Sequence, residues 1–255
     1  MLDYFNFSAG EVHLTNSEAA GAFIVMSDYT MDGFMALCQH HDWMKSRFSN
    51  GVDVVYPSFP YSRQDRDING PFSLRVFANM VNAQGFHSIS TWDPHSDVLP
   101  ALVPGLRVTE QEHILSVAVP QDVQETYDVI VAPDAGAVKK AQKTADRLAK
   151  PLAFGVKRRD DEGTIVETNL YGDVKGQDVL IVDDICDGGA TFCGLSEALH
   201  ANGANSVDLY VTHAIMAKGV EPLVDAGVRH IYTTQSFPAV VGEDGFITRV
   251  GAYDS

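Results

Sequence analysis

The chain has 255 residues, 45% of them apolar and 20% charged, a composition suited to folding around buried cores. Eighteen Lys plus Arg against 34 Asp plus Glu give a formal net charge of −16, which argues against a non-specific grip on a nucleic-acid backbone or an anionic lipid surface. The longest apolar stretch, residues 21–26, is far too short to cross a bilayer. No basic-then-apolar leader pattern is visible, and Cys38, Cys186 and Cys193 form no Cys-x-x-Cys pair. A cytoplasmic protein without a disulfide framework or structural zinc site is the simplest expectation.

In chain order, Phe34, Leu37, Cys38 and His41 fall on one side of a helix predicted over 31–45. The apolar run 52–56 predicts a buried strand. Leu74, Phe77, Ala78 and Val81 then follow the i, i+3, i+4, i+7 rule, and Gly85 stops that helix. Strands are predicted at 89–92 and 127–132, followed by a helix that carries Val138, Ala141, Ala145 and Leu148 on one face. Residues 157–162, basic and then acidic, read as a mobile polar loop. A strand at 178–182 feeds a helix bearing Leu195, Ala198 and Leu199, with Gly203 as its C-terminal cap. Strands at 207–212 and 229–233 close the pattern.

Strands alternating with helices imply an α/β fold with mostly parallel sheets flanked by helices. Two such sets predict two similar domains, 1–115 and 116–235, with 236–255 packing back on the first. Ligands of open α/β sheets bind beyond the carboxyl ends of strands, so the informative residues follow Tyr56, Trp92, Ala132 and Val182.

After Val182 the chain reads Asp183-Asp184-Ile185-Cys186-Asp187-Gly188-Gly189-Ala190-Thr191. Two adjacent carboxylates at a strand end suit the vicinal hydroxyls of a sugar and lie well for a metal. The glycine-bearing turn from Asp187 to Thr191 runs into a helix N-terminus, where N–H groups and the helix dipole favour an anion. A diol and a phosphate on one molecule describe a ribose 5-phosphate unit. The competing reading is an acidic turn that merely caps a helix.

This run is similar to the phosphoribosyl-diphosphate (PRPP) binding motif of the type I phosphoribosyltransferase fold. Further stretches resemble the ribose-phosphate diphosphokinase (PRPP synthetase) family, and they occur in the family's order. They are Phe7-Ser8-Ala9-Gly10-Glu11, the segment Tyr56-Pro57-Ser58-Phe59-Pro60-Tyr61-Ser62-Arg63-Gln64-Asp65-Arg66, Asp93-Pro94-His95, Ala132-Pro133-Asp134-Ala135-Gly136 and Lys157-Arg158-Arg159. The resemblance implies diphosphoryl transfer from ATP to the anomeric hydroxyl of ribose 5-phosphate with release of AMP, the substrates lying between two phosphoribosyltransferase-type domains.

Carried over residue by residue, the resemblance makes Lys157 and Arg159 stabilisers of the transferring group, on a loop (157–169) that closes over ATP. Arg158 reads as a solvated neighbour. His95 and Asp134 become magnesium-linked residues, with His95 also suited to an ATP phosphate. Arg63 and Gln64 contact ATP, while Asp93 and Asp97 hold the sugar or orient His95. Phe7 and Glu11 clamp adenine from a neighbouring subunit, which implies a homo-oligomer, a dimer at the least with a hexamer as the larger option. Asp183, Asp184, Asp187, Gly188, Gly189, Ala190 and Thr191 bind the ribose phosphate. Mg²⁺ is the implied cofactor, and neither nucleic acid nor membrane is an expected partner. Ser73 reads as a helix cap, and the other histidines as structural.

The chain departs from the family pattern in four places. It begins close to the Phe-Ser-x-Gly-Glu motif, without the strand and helix that precede it in the family. Ala9 stands where that motif has Asp. The loop after Arg66 is short, and the chain ends soon after 244–253 without a closing helix. Gly188 stands where the phosphate turn commonly has Thr. The altered ends predict weakened control by phosphate and ADP. Gly188 opens room for a larger 5-substituent, so ADP-ribose is the leading alternative acceptor. Two further functions compete with these, a PRPP-consuming phosphoribosyltransferase and a catalytically silent associated subunit. The phosphoribosyltransferase leaves Arg63, Gln64 and His95 unexplained, and the silent subunit leaves Lys157 and Arg159 unexplained.

Overall fold

The computed structural model describes residues 2–15, 21–48, 51–67, 70–159 and 165–251, with only the backbone described at 157–159 and 165–168. The chain divides into two units, Met1–Thr109 and Glu110–Ser255.

The first unit opens with an antiparallel hairpin of β1 (Tyr4–Asn6) and β2 (Val12–Leu14). There follow β3 (Phe23–Val25), α1 (Met31–Arg47), β4 (Asp53–Tyr56), α2 (Ser73–Gln84), β5 (Ser88–Trp92), α3 (Val98–Leu102) and β6 (Arg107–Thr109). The strands β3-β4-β5-β6 form a parallel sheet in that order. The helical faces read from the sequence are the faces buried: Phe34 and Leu37 of α1, and Leu74, Phe77 and Val81 of α2, join Val54 and Tyr56 in one core. Each such side chain contributes about 1.5–3 kcal/mol by leaving water.

Thr30 caps α1 by accepting from the Gly33 N–H at 3.1 Å, and Gly85 ends α2 in the left-handed region, φ 65°. Ser73 does not cap α2. It is the first helical residue, the N-cap is Phe72, and the Ser73 hydroxyl faces the Pro71 carbonyl at 3.4 Å.

The second unit contains α4 (Gln111–Ala118), α5 (Gln121–Thr126), β7 (Val129–Ala132), α6 (Val138–Leu148), β8 (Leu152–Arg159), β9 (Ile165–Tyr171), β10 (Asp178–Cys186), α7 (Ala190–Ala201), β11 (Ser206–Ala214), α8 (Glu221–Asp225), β12 (Ile231–Thr234) and β13 (Ile247–Val250). Its seven-stranded sheet runs β13-β12-β11-β10-β7-β8-β9, parallel except for the antiparallel edge pair β8–β9. Alternate residues of β10 feed opposite cores: Val179 and Ile181 pack with Phe192, Leu195 and Leu199 of α7, whereas Leu180 and Val182 pack with Leu115 of α4 and with Ala141 and Ala145 of α6. A polar knot ties the residue before β7 to β11 across β10: the buried Tyr127 hydroxyl donates to Asp208 at 2.6 Å, and the half-exposed Arg229 grips the same carboxylate at 2.9 and 2.7 Å.

Three expectations change. The boundary falls at Thr109, not at 115, because Leu115 and Ala118 of α4 sit in the second unit's core. The tail joins the second unit's sheet instead of the first unit: β13 pairs in parallel with β12, Ile231 opposite Ile247. The expected polar loop is largely a hairpin, since β8 runs through Lys157 and Arg159 with Lys157 opposite Thr168. Its turn, 160–164, lies outside the described residues. Among the described residues no helix is long and apolar enough to cross a membrane.

A largely buried ion pair anchors the tail. Arg249 donates to Glu243 from Nε at 3.0 Å and from Nη2 at 2.9 Å, while the Val240 N–H donates to Glu243 at 2.9 Å. Burial alone would raise the Glu243 carboxyl, but these donors outweigh it and hold it below the usual carboxylate range. A depressed acid contributes stability that is present above its unfolded pKa and lost as pH falls through the folded one. Glu243→Gln, which strands the Arg249 charge, should therefore cost on the order of 3 kcal/mol at neutral pH and less in acid, read by urea unfolding across pH 3–7. A variant as stable as the parent at pH 7 contradicts this anchor.

Candidate functional site

In the second unit the carboxylate pair lies within β10 rather than after it. The parallel ladder to β11 continues past Val182, with Asp183 opposite Val211 and Ile185 opposite His213. Strand alternation buries Asp184, 6% exposed, and leaves Asp183 half-buried. The Asp184 N–H donates to Asp183 Oδ1 at 2.9 Å. Burial first, then the adjacent Asp184 carboxylate, pushes the Asp183 carboxyl well above the usual range, and Asp134 adds to the effect. The tips of β7 and β10 thus concentrate negative charge at the carboxyl edge of the sheet.

Asp134 follows β7, as expected. Its Oδ1 accepts the N–H groups of Gly136 at 3.0 Å and Ala137 at 3.2 Å, which fixes the turn into α6. Among the described residues no three His, Cys, Asp or Glu side chains gather at metal-ligand spacing.

Beyond β10 the turn tightens into α7. Gly189 occupies the left-handed region, φ 77°, where a side chain is strained, and its carbonyl accepts from Phe192 N at 2.9 Å and Cys193 N at 3.0 Å. As N-cap, Gly189 brings no capping side chain to the helix start. The turn is pinned to the loop after β11: Ala217 N donates to the Asp187 carbonyl at 2.9 Å, and Ile215 N to the Cys186 carbonyl at 2.9 Å. The structure thus brings Asp183, Asp184, Asp187, Gly188, Gly189, Ala190 and Thr191 into one strand–turn–helix element, with Asp134 nearby.

In the first unit, Phe7 and Glu11 close the β1–β2 hairpin, with Phe7 N donating to the Glu11 carbonyl at 2.9 Å. Phe7 is half exposed and packs edge-on against Phe5, ring centroids 4.8 Å apart. Arg63 and Gln64 are exposed on a turn after β4, where Gln64 N donates to the Tyr61 carbonyl at 2.9 Å. His95 is exposed after β5. Asp93 before it is buried with φ 37°, a strained backbone held by its N–H bond to the Thr109 carbonyl at 2.8 Å. Asp97 is the N-cap of α3, without a side-chain cap bond.

One residue joins the Arg63 and His95 segments, and neither periodicity nor spacing singled it out. Asp65 is 4% exposed and accepts from Arg66 Nε at 3.0 Å. Burial would raise its carboxyl, but the Ser96 hydroxyl, the Arg66 guanidinium and the His95 imidazole hold it below the usual range. Its Oδ2 is buried without a donor among the described residues. The sequence signal was available, since Asp65 directly follows Arg63-Gln64, but its burial was not. The expected structural role suits several other histidines: His40, His41 and His200 each meet a backbone carbonyl, and His213 meets the Ser236 hydroxyl at 3.0 Å.

Residues 110–244 match the phosphoribosyl transferase domain family. The chain is 32% identical over 237 residues to a ribose-phosphate pyrophosphokinase of Agrobacterium fabrum, covering 89% of this chain and 75% of that protein. It is 30% identical over 253 residues to one from Streptomyces avermitilis, covering 92% and 76%. In three dimensions it is similar to a phosphoribosylpyrophosphate synthetase from Mycobacterium smegmatis, with a TM-score of 0.83 and 26% identity over 98% of this chain and 86% of that one.

Proposed function

This chain belongs to the ribose-phosphate pyrophosphokinase family, and from that membership we propose that it moves a diphosphoryl group from ATP to the anomeric hydroxyl of a ribose 5-phosphate unit. The new bond joins the anomeric oxygen to the β-phosphorus. The bond from that phosphorus to the α–β bridging oxygen breaks, AMP leaves, and the hydroxyl proton is released. Such a transfer needs positioning and charge stabilisation more than covalent chemistry.

The observation that carries this reading is the element Asp183–Thr191: two strand-borne carboxylates followed by a glycine turn into a helix start. The carboxylates accept hydrogen bonds from the ribose hydroxyls, and the backbone N–H groups of Gly188, Gly189, Ala190 and Thr191 face the 5-phosphate. Arg63 and Gln64 contact ATP, and Phe7 and Glu11 hold adenine for a neighbouring copy in a homo-oligomer. Lys157 and Arg159 draw charge from the transferring group.

Magnesium fits this chain. The Asp183 carboxyl is raised by burial first and then by the neighbouring Asp184 and Asp134 carboxylates, and a cation relieves that repulsion. The ion would be held in the usual way for Mg²⁺, by one or two side chains plus substrate phosphates. Asp134 is the assigned carboxylate, and His95 is assigned to the metal or to an ATP phosphate. When bound, the ion neutralises phosphate oxygens as charge shifts toward AMP.

The test is AMP release from ATP and Mg²⁺ with no acceptor, with ribose 5-phosphate and with ADP-ribose. AMP formed with ribose 5-phosphate, together with a product that releases pyrophosphate in acid, is the expected result. Gly188, which adds no side chain of its own to the phosphate turn, favours the second reading; faster AMP release with ADP-ribose would establish it. No AMP with either acceptor would overturn both.

A further inference from the structure

We propose that Lys218, on the loop between β11 and α8, is a binding residue for the 5-phosphoryl end of the acceptor. This rests on the reading just given, and what it adds to that site is a residue from a loop remote in sequence. The Lys218 stem lies over Gly188: a Cβ built at Gly188 would meet Lys218 Cε at 3.6 Å, Cδ at 3.7 Å and Cγ at 3.9 Å. The ammonium, one bond beyond Cε, therefore lies close to the turn. Its charge also acts on Cys193 in the first turn of α7, which places it by the same helix start.

The loop is held there by the bond from Ala217 N to the Asp187 carbonyl and by the bond from Gly219 N to the Met216 carbonyl, each 2.9 Å. Gly219 supplies the left-handed turn, φ 73°, directly after the lysine. Among the described residues Lys218 makes no ion pair or hydrogen bond with the protein, and its side chain is exposed.

A lysine without a partner among the described residues, beside a turn that Asp183, Asp184 and Asp187 lead into, is a cation in a negative field. A dianionic phosphoryl group seated on the turn would use it. Gly188 brings no side chain of its own to the turn, and the space a side chain would need there is bordered by the Lys218 methylenes. Lys218 thus replaces a short, neutral grip on the phosphate with a long, mobile and charged one. The ligand class is a ribose whose 5-position carries a phosphoryl group, as a monoester or as a diphosphate ester.

The test uses the intact protein with ATP and Mg²⁺ and compares Lys218→Met, which keeps the apolar stem, with Lys218→Arg, which keeps the charge. AMP release is measured against ribose 5-phosphate and ADP-ribose, and binding of ribose 5-phosphate and of ribose by calorimetry. Lys218→Met should raise the KM for the acceptor by about tenfold, the scale of one charge-assisted hydrogen bond, and should raise it more than it lowers kcat. Its KM for ATP should stay within about twofold, and Lys218→Arg should recover most of the loss. Raising salt should weaken acceptor binding to the parent more than to Lys218→Met. A parent that turns over, with a Lys218→Met variant unchanged toward both acceptors, overturns the Lys218 assignment alone. A parent that neither binds nor uses a phosphorylated ribose overturns the functional reading and this inference together.

Discussion

Replacing Asp183 and Asp184 together with asparagine should raise the acceptor KM by about a hundredfold or more, since each lost bond to a charged acceptor is worth about 1.5–3 kcal/mol. The two residues are adjacent near the carboxyl end of β10, Asp183 half-buried and Asp184 buried. Initial rates of AMP release against ribose 5-phosphate measure the effect. A double variant with the parental KM would show that the carboxylates do not hold the sugar.

The Asp183 half of that substitution, made alone, carries a second readout of opposite sign. The Asp183 carboxyl is raised by burial and by Asp184, so its ionised form is disfavoured in the folded protein. A raised acid confers stability that is full below its unfolded pKa and is lost as pH rises through the folded pKa. At neutral pH the ionised pair is therefore a liability, and Asp183→Asn in magnesium-free buffer should melt no lower than the parent and should flatten the loss of stability with rising pH. Lost acceptor binding with retained or increased Tm separates a functional pair, kept at a cost in stability, from a structural one. A fall in Tm would assign Asp183 to holding the strand.

How much of this was legible in the sequence depends on which force places each residue. Burial by periodicity reads well: Leu74, Phe77 and Val81 on α2 and Ala141 and Ala145 on α6 face the cores that their spacing implies. The turn Asp187–Thr191 reads well because glycines before an apolar helical repeat are local signals. What failed is what tertiary pairing decides. Residues 157–159 are basic and 165–169 mix Ile165 and Val166 with polar residues, so the stretch looks like a loop, yet they pair as an antiparallel edge hairpin, where no second apolar face is needed. Ile247–Val250 is too short to announce itself, and only its pairing with β12 assigns the tail to the second sheet. The burial of Asp65 and the placement of Lys218 escaped the sequence for a related reason. Their roles come from neighbours such as Ser96, His95 and Gly188, and no window along the chain contains both sides of those contacts.

Lys157→Ala and Arg159→Ala should each lower kcat on the order of a thousandfold, with the double variant little worse than the worse single one, because charge stabilisation in phosphoryl transfer is worth about 10³–10⁵ and groups that act as a unit are not additive. Both belong to β8, which continues from the parallel sheet at Leu152 into the antiparallel pair with β9. A hairpin rooted in a sheet presents its residues at a fixed register, and the backbone pairing of Lys157 with Thr168 survives loss of the side chain. The variants should therefore keep the parental Tm and the parental binding of ribose 5-phosphate by calorimetry while losing turnover. If KM for the acceptor rises instead and kcat holds, these cations belong to ground-state binding, and stabilisation of the transferring group must come from elsewhere in the protein.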